Sequence, residues 1–256
     1  MKIEPLTRFS DRAEQYARHR PSYPQALYDH LRQAAALAPG ALVADVGSGT
    51  GLLTKLFLDN GHPVIGIEPN APMRAAGDAF LSAYPEFRSL DGAAENLPLN
   101  AASVGLLVAG QAFHWFQPAD FRREALRVLR HGRQAALVWN RRDERDSFVQ
   151  AYEQLLDDLA VDYYKADPKH RLRQDSILEF FHPQNPIYAT FPNPLSYDWD
   201  ALQGLASSQS YVPLPDHANH APFFTRLREL FDQHQQNGAV TLALVTHLHH
   251  APLLND

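Results

Sequence analysis

The sequence predicts an α/β chain built on a doubly wound, mostly parallel sheet of seven strands with helical cap elements. Three observations predict it: short apolar runs that carry an acid near their carboxyl ends (Ala41–Val46 and Pro63–Glu68), amphipathic segments between such runs, and a glycine-dense loop, Gly47-Ser48-Gly49-Thr50-Gly51. Near-continuous apolar runs suit strands buried on both faces, and strands alternating with helices need crossover connections, which make neighbours parallel.

Taken in order, Ser22-Tyr23-Pro24-Gln25 reads as a capping box opening a helix with Leu27, Leu31, Ala34 and Ala35 on one face, and Pro39-Gly40 ends it. A strand over Ala41–Val46 follows, then the glycine loop, then Leu52, Leu53, Leu56 and Phe57 at helical spacing up to Asn60-Gly61. Pro63–Glu68 is the second strand. A helix near Ala71–Ala83, strands near Phe87–Leu90 and Ser103–Ala109, a helix carrying Phe121, Ala125, Val128 and Leu129, and a strand at Ala135–Trp139 complete five alternations. Beyond Asn140 the texture becomes charged and proline-rich. Helices are expected near Ser147–Val161, Asp198–Ser210 and Phe223–Gln235, with strands near Ile187–Phe191 and Val240–His247. The expected organisation is a single domain over 1–256: N-terminal helices over 1–40 that close on the site, a core over 41–140, and a cap with the final strands over 141–256.

Composition excludes several chemistries. The chain has 256 residues, a net charge of −6 and no cysteine, so sulfur nucleophiles, thiolate metal sites and disulfides are ruled out, and bulk nucleic-acid binding is disfavoured. No apolar run approaches the ~20 residues of a membrane span, and the N-terminal residues lack the apolar stretch of a signal peptide. A soluble cytoplasmic protein, monomer or homodimer, is the expectation.

The glycine loop lies between a strand and a helix, where absent Cβ atoms let the backbone turn tightly and a ligand approach. Glu68 ends the next strand twenty-three positions after Asp45, placed to accept hydrogen bonds from both hydroxyls of a ribose, and Pro69 holds it extended. A nicotinamide dinucleotide would use the same acid. The glycine spacing at 47, 49 and 51, however, departs from the G-x-G-x-x-G pattern that accommodates a pyrophosphate.

Val43-Ala44-Asp45-Val46-Gly47-Ser48-Gly49-Thr50-Gly51 resembles motif I of class I S-adenosylmethionine-dependent methyltransferases, which have a Rossmann-like fold. Val64-Ile65-Gly66-Ile67-Glu68-Pro69-Asn70 is similar to the family's second-strand motif, and Ala94–Leu99 followed by Ser103–Ala109 to its segment before the fourth strand. Arg127–Arg133 resembles its R-V-L-[KR]-P-G-G turn, with His131 and Arg133 as departures. The four segments keep the family's order over roughly 41–140. Within the family, Tyr16–Pro24 and Gln111–Phe116 look like the small-molecule methyltransferases of the methyltransferase type 11, ubiquinone-biosynthesis and trans-aconitate kind.

The resemblance implies S-adenosyl-L-methionine as cofactor and methyl transfer to a small-molecule acceptor through an oxygen, nitrogen or carbon nucleophile, a carboxylate included. It places Asp45, Gly47, Ser48, Gly49 and Gly51 at the cofactor, with Glu68 on the ribose, Pro69 and Asn70 at one edge of the adenine, and Ala94 and Glu95 beside it. Tyr16 and Arg20 would close over the cofactor, Arg20 toward its carboxylate. Gln111 and His114 would face the transferred methyl group and the acceptor, His114 as a base or as a packed histidine.

Three further features leave two readings each. Phe113, Trp115 and Phe116 suit either a pocket border that favours a cation or core packing. Arg141 and Arg142 suit a substrate carboxylate or a solvated charge run. His247 and His249 share a strand face, which suits zinc or plain solvation; without an acid in the segment no metal is expected. For function, the rivals are an NAD-dependent oxidoreductase and a non-catalytic S-adenosylmethionine-binding protein.

Overall fold

The computed structural model describes residues 20–166 and 173–254. Tyr16 and the rest of the N-terminal segment through residue 19 lie outside the described residues.

The core alternates as expected: helix α1 (Gln25–Ala34), β1 (Val43–Val46), α2 (Leu52–Asp59), β2 (Val64–Ile67), α3 (Ala71–Phe80), β3 (Phe87–Leu90), β4 (Val104–Gly110), a 3-10 turn (Phe113–Trp115), α4 (Pro118–Val128) and β5 (Leu129–Arg142). The second half adds α5 (Ser147–Leu159), α6 (Gln174–Phe181), β6 (Ile187–Pro192), β7 (Leu195–Tyr197), α7 (Trp199–Ser208), α8 (His220–His234), β8 (Val240–Leu242) and β9 (Leu244–Pro252).

The main sheet has seven strands in the order β3-β2-β1-β4-β5-β9-β6. Pairings from β3 through β5 are parallel, and β9 inserts antiparallel between β5 and β6. Along β5 the side chains alternate between two cores: Ala135, Leu137 and Trp139 pack with α4 and α6, while Ala136 and Val138 pack with α1 and α2. That two-sided burial is why these strands read as continuous apolar runs. Leu27, Leu31 and Phe57, all fully buried on the α1–α2 side, each contribute about 1.5–3 kcal/mol of transfer free energy.

A third core forms the cap. Phe148, Val149, Tyr152, Leu155 and Leu156 of α5 pack against α7, α8 and the two-stranded β7–β8 sheet. The cap elements lie between the end of β5 and the start of β9; the chain leaves the main sheet beyond Arg142, returns to its edge as β6, and rejoins it at Leu244 as β9.

Several local expectations are corrected. The Ser22 capping box does not form: the cap position is Pro24, without a side-chain bond, and the Ser22 carbonyl instead accepts from Asn140 and Asn193. The single strand expected over Val240–His247 is two, because Val240–Leu242 pairs with β7 and Leu244–Pro252 joins the main sheet. Helix α6 was not anticipated, its signal being only Ile177, Phe180 and Phe181 at spacings of three and four. Helix α1 packs with α2 on one face of the sheet, and from the described part of 1–40 Arg20, Pro21, Ser22, Tyr23 and the first helical residue, Gln25, line cavities.

Candidate active site

The loop after β1 owes its shape to glycine. Gly47, Gly49 and Gly51 have φ of +69°, +55° and +86°, the left-handed region that costs a residue with a Cβ roughly 1–2 kcal/mol. A Cβ on Gly47 would stand 2.6 Å from that of Ala112, and one on Gly51 would stand 2.5 Å from Leu81 Cδ1. The loop is pinned from behind, since the amides of Gly47 and Ser48 donate to the Ile67 carbonyl at 2.8 and 3.2 Å.

Two carboxylates flank it. Asp45, only 1% exposed, accepts from Thr54 Oγ1 at 2.7 Å through Oδ2, while its Oδ1 is buried without a hydrogen-bond partner. Burial pushes its carboxyl up to about 7, against the lowering effect of the Thr54 bonds and with a smaller push from Glu68. Glu68 accepts from the Gly49 amide at 3.0 Å and the Asn70 amide at 2.8 Å. Burial raises its pKa too, opposed by those two amides and by Arg74. Asn70 caps α3 by accepting from the Met73 amide at 3.1 Å.

These groups line a cradle of about 150 Å³, walled by Asp45, Gly47 to Thr50, Glu68 to Asn70, Met73, Gln111, Ala112, Trp115 and Phe116. A second cavity of about 220 Å³ lies between the carboxyl ends of β4 and β5 and the cap, and holds Arg20, His114, Trp139, Asn140, Arg141, Arg142, Gln209 and Tyr211. Tyr23, Leu52, Gln111 and Trp115 line both. Gln111 is held at φ +55°, its amide donating to the Val138 carbonyl at 2.8 Å and its Nε2 to the Asn140 carbonyl at 3.0 Å. A left-handed non-glycine residue stores strain of about 1–3 kcal/mol, and strain of this kind clusters where function constrains the backbone. Its Oε1 is buried without a partner, as are Thr50 Oγ1 and Trp139 Nε1.

The structure brings together Asp45, Gly47, Ser48, Gly49, Glu68, Pro69, Asn70 and Gln111 on the cradle wall and His114 in the adjoining cavity. It does not bring the others there. Gly51 supports the turn over Leu81. Ala94, 4% exposed, packs with Ile67 and Leu97, and Glu95 accepts from the Gln117 amide at 2.9 Å. Arg20 lines the second cavity, not the cradle, and donates to the hydroxyl and carbonyl of Ser208 in α7.

The aromatic group divides: Phe113 is buried against Phe121, Trp139 and Phe180, whereas Trp115 and Phe116 face the cradle. Arg141 and Arg142 are not a solvated run. Arg142 pairs with Glu153 in a short contact, their side chains 13% and 15% exposed, and donates to Tyr163 Oη at 2.7 Å and Tyr211 Oη at 3.3 Å. Sequence reasoning missed this network and the Trp139 N–H. A tryptophan at the carboxyl end of a core strand was the one legible signal; Glu153, Tyr163 and Tyr211 come from the cap and carried none. Among the described residues no cluster of three metal-holding side chains occurs and no helix is long and apolar enough to cross a membrane.

A family model described as a methyltransferase domain matches residues 44–137. The chain is 32% identical over 182 residues to an uncharacterized methyltransferase of Geobacillus kaustophilus, covering 64% of this chain and 83% of that one. It is 40% identical over 141 residues to an uncharacterized methyltransferase of Mycobacterium tuberculosis, covering 55% of each, so it spans about half the length of that relative. A solved structure from Anaeromyxobacter dehalogenans described as a methyltransferase shares the fold, with a TM-score of 0.64 at 23% identity over 93% of this chain and 99% of that one. Geranyl diphosphate C-methyltransferase of Streptomyces coelicolor, solved with S-adenosyl-L-homocysteine, shares it at TM-score 0.50 and 14% identity over 90% of this chain and 76% of that one. The methyltransferase-domain match and the kinship with a relative covered over 83% of its length lead to one conclusion: the chain belongs to the methyltransferase family.

Proposed function

We propose that the whole chain works as one methyltransferase unit in the cytoplasm, in which the cradle binds S-adenosyl-L-methionine and the second cavity binds a small-molecule methyl acceptor. The observation that carries this reading is the shared wall: Tyr23, Leu52, Gln111 and Trp115 line both cavities, so a donor in one lies beside an acceptor in the other. The cradle suits the cofactor's chemistry. Asp45 Oδ1, Thr50 Oγ1 and Gln111 Oε1 are buried acceptors without partners, and a ligand bearing an ammonium group and ribose hydroxyls supplies donors to them. Glu68, with both oxygens already accepting from backbone amides, keeps further lone pairs for the ribose. A Cβ at Gly47 would intrude where the backbone meets Ala112.

When bound, S-adenosylmethionine supplies a sulfonium methyl carbon open to in-line displacement. The protein's part is alignment and exclusion of water. Gln111 fixes the passage between the cavities through its bonds to Val138 and Asn140. His114 takes a proton from an oxygen or nitrogen acceptor. Trp139 Nε1 donates to an oxygen on the acceptor, and the Arg142–Glu153 pair holds the cap against the end of β5.

The test is calorimetric titration with S-adenosylmethionine and S-adenosylhomocysteine beside NAD and NADP, repeated on Glu68→Ala. Binding of the sulfur ligands alone, weakened tenfold or more (about 1.4 kcal/mol) by the substitution, is expected. Binding of NAD, or unchanged affinity in Glu68→Ala, would overturn the assignment of the cradle. Turnover in an acceptor screen that is unaffected by His114→Ala would remove the base.

A further inference from the structure

On the β5–β9–β6 part of the sheet a separate pocket of about 440 Å³ is lined by Arg141, Gln174, Asn185, Tyr188, His247 and His249 among its polar groups. We propose that it binds a small phosphate-type oxyanion. The proposal is independent of the methyl-transfer reading and uses residues that reading leaves unexplained.

The strand register builds the site. His247 pairs with Trp139 and Thr190, and His249 with Leu137 and Tyr188, so the two imidazoles and the Tyr188 ring share a face. Arg141 lies two residues beyond Trp139 on β5 and so projects to that face as well. Tyr188 Oη lies 2.6 Å from His247 Nδ1, and its ring centroid is 4.9 Å from that of His249.

The electrostatics are one-sided. The Arg141 side chain makes no hydrogen bond or ion pair with any described residue, whereas that of Arg142 beside it has Glu153. Among the described residues no carboxylate lines the pocket; the titratable groups described there are Arg141, His247, His249 and Tyr188. Burial and the Arg141 charge both lower the proton affinity of the two imidazoles. A partly buried guanidinium beside two imidazoles is short of one negative charge. A bound oxyanion supplies it, accepting a forked pair of bonds from Arg141, N–H bonds from the histidines and amide bonds from Gln174 and Asn185. The same arrangement repels a divalent cation, so the histidine pair that suggests zinc in the sequence faces the wrong charge for it.

Arg141 also lines the larger cavity, so the anion could arrive free or as the phosphate of a larger ligand. The experiment is histidine-ring NMR on the full chain, titrated at fixed pH and ionic strength with inorganic phosphate and, separately, with glycerol phosphate; His247→Asn assigns the signals. Saturable shifts at His247 and His249 that spare His62, with binding about tenfold or more weaker in Arg141→Gln and partly restored in Arg141→Lys, are expected. Tighter binding of the phosphomonoester would support the proposal with a larger ligand as the source, and equal binding would support it with the free anion. Shifts that never saturate and spread over all histidines, or identical binding in Arg141→Gln, would overturn it.

Discussion

Replacing Asp45 by asparagine should stabilise the protein at alkaline pH and weaken the cradle's hold on its ligand. Burial raises this carboxyl from 3.8 to about 7. Because the folded pKa is the higher one, the native state binds more protons than the unfolded chain between those values, and stability falls as pH rises through the window. At about 1.4 kcal/mol per pH unit, the full penalty above pH 7 is about 4 kcal/mol. Asparagine removes the charge and keeps an oxygen for the 2.7 Å bond from Thr54, but leaves a buried amide N–H unpaired where Oδ1 stood, a cost of about 1–3 kcal/mol. The net expectation is a gain of about 1–3 kcal/mol at pH 8 that shrinks to nothing, or reverses, near pH 4.5. Urea unfolding of both proteins at the two pH values measures it. An Asp45→Asn protein equally destabilised at both would refute the argument that desolvation governs this group. Calorimetry with S-adenosylhomocysteine on the same variant should show weaker binding, since a donor then stands where the ligand's ammonium needs an acceptor.

Other perturbations have equally definite outcomes. Gly47→Ala places a Cβ 2.6 Å from that of Ala112 at φ +69°, so thermal unfolding should show a loss of at least about 1–2 kcal/mol and ligand titration a loss of affinity; a silent variant would mean the loop readily relaxes. Arg142→Met should cost about 3–5 kcal/mol by removing the cation that neutralises the largely buried Glu153 carboxylate, which keeps its bond from Tyr163 Oη, and adding Glu153→Leu should recover much of it; additive losses in the double variant would refute a coupled pair. His250, bonded to Gln134 and His30, has its pKa lowered to about 4 by burial first and His30 second. The unfolded chain therefore binds its proton first on acidification, and this part of the stability is lost as pH falls from about 6.5 toward 4. An NMR titration that puts His250 near 6.5 would contradict this.

How much was legible depended on the range of the signal. The five alternating strands, the glycine loop and the acid at the end of β2 rest on side-chain period and on the left-handed φ at Gly47, Gly49 and Gly51, all set within a few residues of the chain. Such local preferences are written in the sequence directly. The motif resemblance added Ser48, Asn70 and Gln111, which the fold then gathers on one wall. It also placed Ala94 and Glu95 at that wall, where packing against Ile67 and a bond to Gln117 hold them away.

What only the tertiary structure decided involves partners far apart along the chain. Arg20 meets Ser208, Arg142 meets Tyr211, and β9 inserts between β5 and β6 after the whole cap has intervened. In the sequence, Arg141 and Arg142 are adjacent and indistinguishable. The pleat sends one beside two histidines and the other to a glutamate of the cap, because successive strand residues face opposite sides of the sheet. Local chemistry therefore determined the strands and the loop, while the charge that each arginine meets was decided by which distant element closed over it.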